Sequence, residues 1–166
     1  LRKLPDLLLR LGVRAPAGRP GRARSLARGA GLGVLLAGVG IGWLVLSEHV
    51  PALRGLRDAT TYLRPDGPGE LALLAVAAVV LAPLLEELIF RGVLYTGLRR
   101  DRSPRAALLV SAAVFAVCHP AFSLAPVFVV GLALGWLYER TRWLGGPVAL
   151  HATYNAVVLA ATYWLL

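Results

Sequence analysis

The chain has 166 residues, enough for one domain and too few for two comfortable ones. It is 57% hydrophobic with a mean hydropathy of +0.66, which argues against a soluble helical bundle, whose helices would need polar outer faces. The net charge is +9, but eight of the 18 basic residues precede residue 29 and most others sit in short loops; this is a topology signal in contact with lipid headgroups, not a nucleic-acid stripe.

Residues 1–28 form a basic cytoplasmic N-terminal segment, too long and too charged to read as the start of a cleavable signal peptide. A first membrane segment is predicted over 29–47, followed by a 23-residue polar loop, 48–70, rich in Pro, Gly, Asp and Arg. The second apolar run, 71–98, is the longest, and it contains the stretch LLEELIFR with Glu86, Glu87 and Arg91. An Arg-rich turn, 99–105, leads to a third segment, 105–119. At ~1.5 Å per residue this segment rises only about 21 Å, short of a ~30 Å hydrocarbon core. Pro120 cannot continue a helix, so the turn at His119 is expected at membrane depth, where irregular backbone must be buried in protein or line a wet cavity. Segments 121–138 and 147–166 complete the count, separated by the turn 139–146. The sequence GLALG, Gly131 to Gly135, reads as a small-residue packing face. The predicted fold is therefore all-α: a polytopic membrane helical bundle of about five transmembrane helices, one short or broken near His119, with 29–166 as one membrane-embedded domain.

Orientation follows from basic residues. With the N-terminus in the cytoplasm, the inside segments carry 14 Arg or Lys and the outside loops three. The single cysteine, Cys118, rules out an intrachain disulfide and a cysteine-cluster metal site.

Nearly the whole deep polar inventory is Glu86, Glu87, Arg91, His119, His151 and Asn155. Ionisable groups in spans cost about 2.5–3.5 kcal/mol each on insertion scales, so their presence points to function. Glu87 and Arg91 are one turn apart and are placed to pair. Adjacent helical residues point about 100° apart, so Glu86 faces elsewhere, at a helical depth matching that of His119. His151 and Asn155 share a face at four-residue spacing, and Phe115 should pack beneath His119. By helix rise alone His151 lies shallower than the other two. A carboxylate beside a histidine in a dry cavity suits general-base work. Two His with one Glu also make a competent zinc set with an open position, although the His-Glu-x-x-His helix is absent.

These residues resemble the motifs of the CPBP family, intramembrane proteases that include the type II CAAX prenyl endopeptidases and the bacterial Abi, or bacteriocin-immunity, proteins. The resemblance runs over about 71–160: Glu-Glu-x-x-x-Arg at Glu86, Glu87 and Arg91, Phe-x-x-x-His at Phe115 and His119, and His-x-x-x-Asn at His151 and Asn155, with Gly131, Gly135 and Thr141 fitting the intervening spacing. It implies an endopeptidase acting on a membrane-associated or prenylated, CAAX-type, protein or peptide. Glu86 and His119 would activate water, His151 and Asn155 would stabilise the oxyanion or complete the site, and Glu87, Arg91 and Phe115 would support it. It further implies either a divalent metal, zinc, held by Glu86, His119 and His151, or a metal-free glutamate/histidine mechanism. The expected partners are membrane lipid and a peptide substrate, with no nucleic acid, and the expected location is the cell membrane of a GC-rich bacterium. Rival readings from the same residues are a transporter or proton relay, and a catalytically inactive immunity or adaptor relative.

Overall fold

The computed structural model describes residues 11–15, 21–58 and 65–164. Thirteen of the residues in the basic 1–28 segment are among them, and 1–10 and 16–20 lie outside the described set, as do 59–64 of the polar loop. The described elements are helices, in the order α1 (Arg22–His49), α2 (Pro51–Asp58), α3 (Pro68–Leu98), α4 (Pro104–Val117), α5 (Leu124–Thr141) and α6 (Gly145–Trp164). Large apolar side chains such as Leu35, Leu73, Leu85 and Val117 point outward on several helices. In a membrane this is the expected solution, because lipid tails solvate such faces.

Three helices are long and apolar enough to cross a membrane: α1, α3 and the stretch Ala121–Thr141 that ends in α5. α4 is the short one, with 14 residues, as its predicted rise requires. α6 has 20 residues but stands outside the three, because its His, Asn, Thr and Tyr residues lower its hydropathy. The boundaries move outward from those expected: α1 begins at Arg22, since arginines are good helix formers at a membrane edge. α5 runs to Thr141 and stops at Arg142, which is left-handed at φ 50°. The loop 48–70 contains α2, whose Arg54 and Arg57 pair with Glu48 at the end of α1.

α3 is not a uniform α-helix. It widens into π-helix at Ala77–Leu81 and again at Leu88–Tyr95. The first widening precedes Pro83, whose ring would clash with the turn before it in a regular helix. The second follows Glu87 directly. π-turns of this kind rotate the residues beyond them around the axis, and they concentrate at functional sites.

Packing rests on small residues. α1 presents Gly29, Gly33, Ala37 and Gly40, all buried, to α6. A Cβ on Gly33 would lie 2.5 Å from the Leu150 carbonyl oxygen, so the two backbones approach too closely for any side chain. The GLALG face does what its pattern implies: a Cβ on Gly131 would come within 3.2 Å of Ala112 on α4. The main core joins Phe115 and Ala116 of α4, Val127, Val130, Leu134 and Leu137 of α5, Leu150 and Tyr154 of α6, and Ala37 of α1.

Candidate active site

Arg91 is fully buried and multiply held. Its Nη1 donates to Glu87 Oε1 at 2.9 Å and its Nη2 donates to the Gly131 carbonyl at 3.2 Å, while its guanidinium lies 4.4 Å over the Phe115 ring. The predicted Glu87–Arg91 pair is thus present, and both side chains are sealed from the surface. A guanidinium suits this position because it can reach two acceptors in its plane and stack on an aromatic face.

Glu87 has a second partner that four-residue spacing could not reveal. His151 Nδ1 sits 2.9 Å from the same Oε1. Glu87 accepts there, so His151 carries its proton on Nδ1 and turns its Nε2 lone pair the other way. That Nε2 lies 3.8 Å from Glu86 Oε2. His119 is set in the same manner from a different element: its Nδ1 meets the Phe115 carbonyl at 2.8 Å, leaving Nε2 free at 3.8 Å from Glu86 Oε2. Phe115 is the hub beneath, with ring centroids 4.7 Å from His119 and 5.7 Å from His151. Phe115 is itself fixed by an edge-on contact with Phe90 at 5.0 Å.

Glu86 Oε2 is buried and has no hydrogen-bond partner. Together with the two imidazole Nε2 atoms it makes three acceptors aimed at one small volume. Acceptors do not satisfy one another, so the arrangement calls for a proton donor or a cation between them. The exposure gradient fits that role: Glu87 and Arg91 are at 0% and His151 at 5%, while His119 and Glu86 rise to 25% and 29%. The sealed side holds the pair and the open side faces what enters.

Asn155 is directed elsewhere. Its Nδ2 donates to the Ala78 carbonyl at 2.7 Å. The reason is in the π-turn: the N–H of Ala82 bonds to Ala77, and the next residue in that register, Pro83, has no N–H to give Ala78. Asn155 supplies the missing donor and fixes α6 against the segment leading to Glu86. His151, which looked shallow by helix rise, nonetheless stands with its Nε2 3.8 Å from Glu86 Oε2.

Zinc needs ligand atoms about 3.3 Å apart for ~2.0 Å bonds in a tetrahedron. Glu86, His119 and His151 have the right donor atoms, but the two imidazoles stand 3.8 Å from the carboxylate oxygen, and among the described residues no group of three His, Cys, Asp or Glu side chains is set to hold a metal ion.

Fold and site together describe a helical membrane bundle in which a buried Glu87–Arg91 pair and a part-buried Glu86 on α3 meet His151 of α6 and His119 of the turn after α4. Residues 68–157, more than half the chain, match the family described as Type II CAAX prenyl endopeptidase Rce1-like, and the chain belongs to that family. Among curated proteins it is 26% identical over 88 residues to the "Putative membrane peptidase YdiL" of Bacillus subtilis (strain 168), covering 52% of this chain and 36% of that protein. It is 32% identical over 87 residues to the membrane-embedded CAAX protease MroQ of Staphylococcus aureus (strain USA300), covering 48% of this chain and 35% of that protein. The matched stretch therefore spans about a third of either relative's length. No solved structure matches.

Proposed function

We propose that the chain is an intramembrane endopeptidase in which Glu86 is the general base for water. The observation that carries this reading is the convergence of three acceptors, Glu86 Oε2 with His119 Nε2 and His151 Nε2, on one half-open volume. A water molecule there has two protons to donate and a lone pair left to attack a carbonyl carbon. Glu86 takes one proton as the C–O bond forms. Glu86 hands that proton on to the Nε2 of a neighbouring histidine, and this imidazolium, with the Asn155 amide hydrogen not given to Ala78, meets the tetrahedral oxyanion. As the C–N bond breaks, the proton passes to the leaving amine, so one water is consumed and an acid and an amine result. Glu87 and Arg91 keep His151 in the required tautomer and orientation throughout.

The substrate class is a peptide or protein at the membrane, including prenylated C-terminal peptides; MroQ is named as a CAAX protease. The setting is a bacterial cell membrane, with the N-terminus cytoplasmic on the 14-to-three bias of basic residues. A divalent ion, in the zinc reading, would be held by Glu86, His119 and His151 and would supply a more acidic bound water; no step above depends on it.

The test is cleavage of a membrane-peptide library, prenylated and unprenylated, by purified protein in detergent. Wild type is expected to cut, and Glu86→Ala, His119→Ala and His151→Ala to lose about 100-fold or more. Equal cutting by all four proteins removes the assigned site. Absence of cutting with coupled substrate uptake in vesicles favours the transporter reading instead.

A further inference from the structure

His119 stands on a break in the chain. α4 ends at Val117, the His119 N–H closes back to Ala116 at 2.9 Å, and Pro120 turns the backbone to φ −55°, ψ 143°. One short 3-10 turn, Ala121–Ser123, then leads into α5. Phe122 lies in this turn and is buried, so leaving its carbonyl unpaired would be costly. The Trp43 indole Nε1 donates to this carbonyl at 2.8 Å, and its ring rests against Phe122 at 6.2 Å between centroids.

We propose that Trp43 is a positioning residue for His119. It reaches the turn from α1, which lies outside the stretch matched to the family. α1 is seated on α6 through Gly29, Gly33, Ala37 and Gly40, and α6 carries His151. Trp43 therefore ties the turn bearing one histidine to the helix bearing the other. Both imidazoles meet Glu86 at 3.8 Å from separate elements, and their common register depends on that tie. The kinetic consequence rests on the hydrolytic reading above; the positioning itself does not.

The test uses the full chain in detergent with Trp43→Phe, which keeps an aromatic ring and removes the N–H. Trp136→Phe, at an exposed tryptophan on α5, is the control. Cys118 is the chain's only cysteine, is exposed and adjoins His119, so its maleimide alkylation rate reports on the turn without any substrate. Trp43→Phe should alkylate several-fold faster and lower kcat about tenfold with KM within about twofold. Trp136→Phe should match wild type. A wild-type alkylation rate in Trp43→Phe overturns the proposal. A wild type that cuts no peptide sinks the protease reading alone, and the Cys118 rates still decide the role of Trp43.

Discussion

Glu87 Oε1 and His151 Nδ1 lie 2.9 Å apart across 64 residues of sequence. Through this bond the ion pair of α3 sets the tautomer of a histidine on α6. Glu86, one residue earlier, makes no such bond with Oε2. The two neighbouring glutamates should consequently fail in different ways. Glu87→Ala leaves Arg91 buried without its counter-charge and should destabilise the fold by about 3–5 kcal/mol, read as a large drop in the thermal unfolding midpoint in detergent. Glu86→Gln should hold the midpoint near wild type while cleavage falls about 100-fold or more.

Arginine at 91 is expected to resist conservative replacement. Lysine can keep the charge beside Glu87, but it cannot also reach the Gly131 carbonyl and stack on Phe115. Arg91→Lys should lower the unfolding midpoint measurably and reduce cleavage through the misplaced Phe115–His119 pair. A midpoint equal to wild type would show that the second hydrogen bond and the stacking contribute nothing.

The seating of α1 on α6 predicts a sharp positional contrast. Gly33→Leu drives a side chain into the Leu150 carbonyl and should separate the helices, costing about 1–3 kcal/mol or more by overpacking. Gly31→Leu and Gly38→Leu face open space and should be tolerated. Unfolding midpoints of the three variants, measured side by side, check this.

Chelation distinguishes the two water-activating chemistries. With the Glu86–histidine spacing at 3.8 Å, prolonged dialysis against a strong chelator should leave cleavage within about twofold of the untreated enzyme. Loss of activity that zinc alone restores would instead assign Glu86, His119 and His151 as ligands.

Sequence alone sufficed for the helical membrane class, the short third apolar segment that forms α4, the break at His119 and the Glu87–Arg91 pair. All of these follow from periodicity, helix rise and four-residue spacing, which act within one segment. It also separated Glu86 from Glu87, because adjacent residues on a helix cannot face the same way. Only the tertiary structure decided which partners meet. The Glu87–His151 bond, the Asn155 donation to Ala78 and the Trp43 donation to Phe122 each join distant segments. The second had a local trace, since Pro83 deprives the Ala78 carbonyl of its partner. A proline shows that a donor is missing; only the packing of α1 and α6, set by glycines that let backbones touch, shows which side chain replaces it.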